Sequence, residues 1–214
     1  MPKNVIVIMF DSLQYNYLGC YGNEWIKTPN MDRLAREGVL FENSYTEGLP
    51  TVPCRRAMHT GRYTLQKAGW VPLSDEDTTI ADLCWGRPIQ TALVFDCPNY
   101  RLPKFGYTRG FDKVWYTRGH EADNYYEYDP LINLNIDDFV EEHCAKAYAE
   151  KMGEQALKGN LAELSIFLRQ RQHWRSKEDH IVARPVHSAM AYLDTVDREQ
   201  SFFLWIDSFD PPAP

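Results

Sequence analysis

The sequence predicts an α/β fold built around a mostly parallel sheet. Three largely apolar runs, Val5–Phe10, Gln90–Phe95 and Ser201–Asp207, are rich in β-branched and aromatic residues and lack a regular polar alternation. Such runs are typical of strands that are covered on both faces. Segments with helical periodicity lie between them, as expected where crossover helices connect parallel strands.

The composition is that of a globular protein with a small substrate rather than a nucleic-acid partner. The chain has 214 residues, 44% apolar and 14% aromatic, which is enough for one sizeable core. Its formal net charge of -7 argues against broad nucleic-acid binding but leaves a small anionic substrate possible. Five scattered cysteines without a C-x-x-C pair favour reduced thiols. With no run long enough for a signal peptide or a membrane span, we expect a cytoplasmic protein without a membrane partner.

The first strand, Val5–Phe10, ends at Asp11. A carboxylate at the carboxyl end of a parallel strand is well placed to hold a divalent metal cation, although an aspartate there also serves as a cap or turn former. A short helix is predicted from Thr28 to Gly38, where threonine and proline favour its start and glycine its end. The apolar segment Val39–Tyr45 then predicts a second strand.

A turn-rich segment, Gly48–Arg62, runs directly into a short helix that carries two adjacent arginines. Free backbone N–H groups and the helix dipole make such a junction an anion site, and Arg55 adds a guanidinium. Thr51 is therefore a candidate nucleophile, activated by a bound divalent cation and by Arg55, with a simple N-cap as the alternative. Cys54 is expected to be a buried structural thiol.

The same segment resembles the signature of the sulfatase family, Cys-or-Ser-x-Pro-x-Arg followed by Thr-Gly-Arg. Thr51, Pro53, Arg55 and Thr60–Arg62 occupy the corresponding positions, and Asp11–Leu13 and Thr28–Phe41 resemble the opening of sulfatases. The resemblance implies an α/β/α sandwich of the alkaline phosphatase type. It also implies a bound Ca, Mn, Mg or Zn ion with Asp11 and Thr51 as ligands, and Thr51 and Arg55 as catalytic residues.

Three departures from the family pattern bear on the chemistry. Thr51 stands where sulfatases carry a formylglycine made from Cys or Ser, and it looks like the unmodified threonine of phosphodiesterases, phosphonate hydrolases and phosphoethanolamine transferases. Ser12 replaces the second of two successive aspartates. The stretch Phe95–Tyr100 lacks the Lys and His that contact sulfate in the family, and its Asp96 either joins the metal shell, orients a substrate hydroxyl or caps the following turn.

The remaining sequence predicts a helical insertion around residues 136–198 and a last strand that ends at Asp207. We expect residues 1–214 to form the N-terminal part of a single sulfatase-like catalytic domain, truncated and inactive by itself. The expected activity of the parent enzyme is hydrolysis of small anionic sulfate, phosphate or phosphonate esters. The alternative is a non-catalytic remnant or an anion-binding module. An open sheet edge near Phe202–Ile206 is expected to permit self-association.

Overall fold

Strands and helices alternate along the chain in the manner of an α/β protein. The structure, a computed structural model, describes residues 3–64, 69–119, 123 and 133–209. Its strands and α-helices are, in chain order, β1 (Val5–Phe10), α1 (Pro29–Glu37), α2 (Thr51–Thr60), α3 (Ile80–Cys84), β2 (Ile89–Phe95), α4 (Pro98–Arg101), β3 (Lys113–Tyr116), α5 (Glu142–Met152), α6 (Glu154–Arg171), α7 (Ala183–Thr195) and β4 (Ser201–Ser208).

The four strands form one parallel sheet in the order β1-β4-β2-β3. Phe10 of β1 lies beside Ser208 of β4, and Asp207 of β4 lies beside Phe95 of β2. The carboxyl ends of three strands therefore meet at one edge, where ligands of open α/β sheets gather. The predicted α/β sandwich with a parallel sheet is confirmed.

Two apolar cores cover the opposite faces of the inner strands. On one face, residues of β2 and β4 pack against α2, α3 and the segment after α4; their buried members include Val52, Ala81, Leu93, Phe95, Tyr100, Tyr107, Phe203 and Trp205. On the other face the same two strands pack against α7; the members are Ala92, Val94, Ala189, Tyr192, Val196, Phe202, Leu204 and Ile206. Because alternate residues of a strand point to opposite faces, both strands read as continuous apolar runs.

The first strand lies at the edge of the sheet and is not covered on both faces, contrary to the expectation from its sequence. Val5 and Ile8 remain 51% and 55% exposed. The expectation that Phe202–Ile206 would form an open edge is also wrong, because β4 lies between β1 and β2 and its residues are buried. An apolar run indicates that a segment can form a strand. It does not indicate whether that strand lies in the centre or at the edge of the sheet.

The predicted second strand, Val39–Tyr45, is absent from the sheet. The segment has no regular secondary structure, and Phe41 and Tyr45 are 68% and 91% exposed. Its backbone accepts one hydrogen bond, from the Tyr21 hydroxyl to the Phe41 carbonyl oxygen, at 2.7 Å. β-propensity is realised only when a partner strand is available, and the described part of the chain pairs none with this segment.

The long helical stretch before β4 has two parts with different neighbours. Helices α5 and α6 contact each other, whereas α7 packs on the sheet through Ala189 and Tyr192. Within the described ranges, none of the helices has the length and apolar character needed to cross a membrane. All five cysteines are free thiols, as the sequence predicts.

Candidate active site

An open cavity of about 450 Å³ lies where β1 ends and α2 begins. Asp11 reaches it from the end of β1, and Thr51 and Arg55 reach it from the first turns of α2. The described residues that line it are Met9, Phe10, Asp11, Ser12, Leu49, Pro50, Thr51, Cys54, Arg55 and Phe209. The structure thus brings together the three residues that the sequence singled out.

Arg55 is fully buried between two carboxylates. Its Nη1 donates to Asp11 Oδ2 at 2.7 Å. On the other side its Nη2 donates to Asp207 Oδ1 at 2.7 Å, and its Nε donates to the two oxygens of Asp207 at 3.2 and 3.1 Å. Nη1 also approaches the backbone oxygen of Thr51, at 3.4 Å. All three nitrogen atoms of the guanidinium therefore donate to carboxylates. Among the described contacts, the guanidinium makes none with the Thr51 hydroxyl.

The electrostatic balance around Arg55 favours its charged form. Burial is the largest single effect and opposes the charge, but the charge of the Asp207 carboxylate, its hydrogen bond and smaller contributions from other neighbours together raise the pKa of Arg55 above its ordinary value. One guanidinium then faces the two carboxylates of Asp11 and Asp207. The three side chains together carry one negative charge, which by itself repels an anionic substrate. A divalent cation at this place would reverse the sign of the local charge.

Thr51 is the first residue of α2, and its hydroxyl is available for chemistry. Pro50 occupies the cap position of α2, and no side chain caps this helix end. No hydrogen bond of the Thr51 hydroxyl is present among the described residues. Pro53 in the first turn and Gly61, with φ at 65°, favour the observed start and end of α2. The N-cap alternative for Thr51 therefore has no support in the geometry.

Cys54 is half-buried and lines the same cavity, so the expectation of a buried structural thiol is wrong. Residues three and four apart share one face of a helix, which places Cys54 and Arg55 on the side of Thr51. The Thr46 hydroxyl lies 3.8 Å from its sulfur. Because helical spacing places the Cys54 thiol on the same side of α2 as Thr51, its position could have been predicted from the sequence.

Aromatic rings hold Arg55 from the core side. The guanidinium carbon lies 5.7 Å from the ring centre of Tyr100 and 5.8 Å from that of Phe209. His59, one turn after Arg55, is buried, stacks on Trp205 at 4.1 Å and shares a 2.9 Å hydrogen bond with the Tyr100 hydroxyl. Burial, and then the charge of Arg55, lower the pKa of His59 to about 3. His59 is thus a neutral packing residue.

Two other polar residues of interest are structural. Asp96 is buried and accepts hydrogen bonds from the Ser208 hydroxyl at 3.0 Å and the Phe209 amide at 2.6 Å, which joins the ends of β2 and β4. Arg56 is also buried; it forms an ion pair with Asp77 and donates to the Pro72 carbonyl oxygen. Asp96 thereby positions Phe209, which lines the cavity, whereas Arg56 holds the segment that contains Pro72 and Asp77.

Sequence reasoning did not identify Asp207 as part of the site. The residue appears in the sequence only as the end of an apolar run, 152 positions from the arginine that it contacts. The rule that identified Asp11 could also have identified Asp207. A carboxylate at the carboxyl end of a buried parallel strand lies at the edge of the sheet where ligands bind.

The described residues fit a divalent cation beside Asp11, with an incomplete ligand set. The Asp11 side chain is 17% exposed, and its Oδ1 accepts only from the Ser12 hydroxyl, at 2.9 Å. The hydroxyls of Ser12 and Thr51 add oxygen donors, which suit a hard cation. Among the described residues, the one cluster of three ligand side chains lies elsewhere, on the exposed residues Glu141, His143 and Cys144.

The backbone beside Asp11 is unusual. Ser12 has φ at 55°, in the left-handed region that a residue with a side chain seldom adopts. Such conformations concentrate at functional sites, where surrounding contacts hold them. Asp11 is held on one side by the Ser12 hydroxyl and on the other by Arg55.

Comparisons with known proteins bear on the family and the fold of the chain. The sulfatase family model matches residues 3–206. Mouse steryl-sulfatase is 37% identical over 107 residues, which cover 44% of this chain and 17% of that protein. Pig N-acetylgalactosamine-6-sulfatase is 27% identical over 231 residues, covering 92% of this chain and 43% of the relative.

Solved structures show the same fold at low sequence identity. The phosphonate monoester hydrolase of Agrobacterium radiobacter superposes with a TM-score of 0.64 at 19% identity, covering 100% of this chain and 42% of that one. BT4656 in complex with its substrate D-glucosamine-2-N,6-O-disulfate superposes with a TM-score of 0.60 at 18% identity, covering 99% and 35%. The chain spans less than half the length of each of these proteins. With its family model matched over nearly all its residues, the chain belongs to the sulfatase family.

Proposed function

We propose that this chain carries the nucleophile of a metal-dependent hydrolase that acts on sulfate, phosphate or phosphonate esters. The observation that carries the proposal is the Thr51 hydroxyl, which has no hydrogen-bond partner among the described residues and lies in an open cavity between Asp11 and the start of α2. Sulfatase family members are metal-dependent, and the oxygen donors beside Asp11 support a metal at this place.

Each side chain has a distinct part in the proposed reaction. Asp11 would hold the cation, with the hydroxyls of Ser12 and Thr51 as further donors. A cation bound there would lower the pKa of the attacking hydroxyl and neutralise charge on the ester oxygens. Arg55 holds Asp11 in place and balances the buried charge of Asp207. The backbone N–H groups of Thr51 and Val52 would face the substrate anion, since Pro53 has no N–H and the Cys54 amide donates to the Pro50 carbonyl oxygen.

The proposed step is an in-line displacement at sulfur or phosphorus. The Thr51 Oγ1 bond to the central atom forms as the ester bond to the alcohol breaks; the hydroxyl proton passes to solvent, and the departing alkoxide takes up a proton. Water then hydrolyses the covalent Thr51 ester. A threonine nucleophile favours phosphate or phosphonate over sulfate, and the likeness to a phosphonate monoester hydrolase supports this preference.

The 214 residues alone are proposed to be inactive, as an incomplete part of the catalytic domain. Asp11 and two hydroxyls provide only part of the ligand shell that a divalent cation needs to stay bound during turnover. We therefore expect metal-dependent binding of a substrate analogue without turnover at an enzymatic rate.

The test uses the purified chain with Mn, Mg, Ca or Zn and phenyl phosphate as the probe. Calorimetry should show metal-dependent binding, which Asp11→Asn weakens by about tenfold or more because it removes the charged ligand. Asp75→Asn, at an exposed carboxylate, is the matched control and should bind like the wild type. Turnover is assayed in parallel with aryl sulfate, phosphate and phosphonate esters, with Thr51→Val as the variant that lacks the hydroxyl.

Each result has a separate meaning. Binding that does not depend on metal or on Asp11 would overturn the hydrolase proposal and favour the second candidate, an anion-binding module that uses only the start of α2. Metal-dependent turnover that Thr51→Val abolishes would show that the 214 residues suffice, which would contradict the proposed inactivity but not the proposed chemistry.

A further inference from the structure

A second cavity, of about 420 Å³, adjoins the first. The two cavities share Thr51 and Phe209, so the candidate nucleophile lies at their junction. The other residues that line the second cavity are Trp70, Pro98, Asn99, Arg101 and Leu102. None of these five belongs to the family signature discussed above.

Arg101 differs from Arg55, the arginine that lines the first cavity, because its guanidinium is not paired with a carboxylate of the described residues. It is exposed at the end of α4 and makes no hydrogen bond or ion pair within the described part of the chain. Arg55, in contrast, uses all its nitrogen atoms on carboxylates and a backbone oxygen. Arg101 is thus a guanidinium of the second cavity that remains available to an anionic group.

Helix α4 is anchored firmly enough to place this charge. Tyr100, the residue before Arg101, is buried and stacks on Tyr107 with ring centres 4.7 Å apart and an interplanar angle of 12°. Its hydroxyl is paired with His59 at 2.9 Å. Asn99 and Arg101 flank this fixed ring in the chain, and both line the cavity. The packing of the Tyr100 ring therefore fixes the backbone positions of Asn99 and Arg101.

The second cavity offers two further kinds of contact. Trp70 is 50% exposed and presents an apolar ring surface to the space beside Thr51. Such surfaces bind flat or cyclic groups by stacking. The amide of Asn99 adds both a donor and an acceptor, so the lining combines a ring surface, an amide and a cation.

We propose that the second cavity binds the alcohol part of the ester, and that Arg101 selects alcohols that carry a ring and a second anionic substituent. The inference rests on the proposed function, because an alcohol part exists only if Thr51 attacks an ester. The ring lies on Trp70, and the second anionic group accepts from Arg101, while the reacting group remains at Thr51 in the first cavity. Arg101 is thereby a specificity-determining residue.

The experiment compares two probes in the presence of Mn, phenyl phosphate and 4-carboxyphenyl phosphate, which differ by one carboxylate. The wild-type chain should bind the carboxylated probe about fivefold more tightly, as expected for one partly exposed charged contact. Arg101→Gln should remove that preference and leave the affinity for phenyl phosphate unchanged. Trp70→Leu should weaken both probes to a similar extent, because both contain the ring.

Lys104→Gln is the matched control, since this exposed cation lies three residues further along but does not line the cavity. It should retain the wild-type preference. Equal affinity of the wild type for the two probes, or a preference that persists in Arg101→Gln, would overturn the inference while the proposed function stands. If neither probe shows metal-dependent binding, the proposed function fails, and this inference fails with it.

Discussion

Arg55 joins two carboxylates that lie 44 residues before it and 152 residues after it in the chain. Its buried charge is compensated by Asp207, which is itself fully buried. Removing one partner of such a pair is strongly destabilising, because the other charge stays buried without compensation. The same residue that shapes the cavity is therefore needed for the stability of the fold.

We expect Arg55→Met to lower the free energy of unfolding by about 3–5 kcal/mol, the usual effect of leaving a buried charge unpaired. Urea denaturation followed by circular dichroism measures it. Arg62→Met is the control: Arg62 is exposed, and among the described contacts its side chain donates one hydrogen bond, to the Glu76 carbonyl oxygen at 3.3 Å. If Arg55→Met lowers the free energy of unfolding by less than about 1 kcal/mol, the ion pair contributes no more than a surface pair. The variant would then contain no uncompensated buried charge at Asp207.

The pH dependence of stability should contain a contribution from His59. Burial, followed by the charge of Arg55, lowers the pKa of His59 to about 3. A histidine in an unfolded chain has a pKa near 6.5. As the pH falls below this value, His59 therefore binds a proton in the unfolded chain but not in the folded chain. Stability is therefore complete above about pH 6.5 and decreases below it, by about 2 kcal/mol at pH 5 for this one group.

His59→Phe tests this contribution because the replacement keeps a ring against Trp205 but cannot be protonated. The difference in unfolding free energy between pH 7 and pH 5 should be smaller in His59→Phe than in the wild type by about 2 kcal/mol. Met152→Phe, which adds the same ring at an exposed position without a titratable side chain, should leave that difference unchanged. An identical pH dependence in His59→Phe and the wild type would contradict a neutral buried His59.

Among the secondary-structure elements, β1 is a largely apolar strand that lies at an edge of the sheet. It pairs with β4 on one side only, and Val5, Ile6 and Ile8 are all about half exposed. An edge strand without charges, prolines or bulges is a template for pairing with another chain. The edge strands open to the predicted self-association are β1 and β3, rather than the segment near Phe202–Ile206, and β1 is the longer of the two.

We expect Ile8→Lys to reduce self-association of the chain, because a lysine on an edge strand disfavours pairing between copies. Sedimentation velocity over a concentration series measures it. Met190→Lys, which places the same charge at a 57% exposed position on α7, is the control and should associate like the wild type. Association that resists Ile8→Lys but responds to Met190→Lys would move the contact from the sheet edge to the α7 face.

At the scale of the whole molecule, the sequence was sufficient for the parts of the fold that local pattern determines. The apolar runs of β1, β2 and β4 and the start of α2 lie close to where their patterns predict. Long-range pairing was not predictable in the same way. The position of β1 at an edge, the missing strand at Val39–Tyr45 and the contact of Asp207 with Arg55 all depend on which distant segments become neighbours.

The contact between Arg55 and Asp207 also imposes an order in time on the nascent chain. Asp11 and Arg55 leave the ribosome well before Asp207, which follows Arg55 by 152 residues. At a synthesis rate of about 5–20 residues per second, this interval lasts roughly 8–30 s. Throughout it the guanidinium lacks its buried counter-charge and β1 lacks the strand that it pairs with. A ribosome that pauses before position 207 would thus hold the start of α2 without the complete cavity, which Phe209 also lines, and a chaperone that shields β1 would be most useful in that interval.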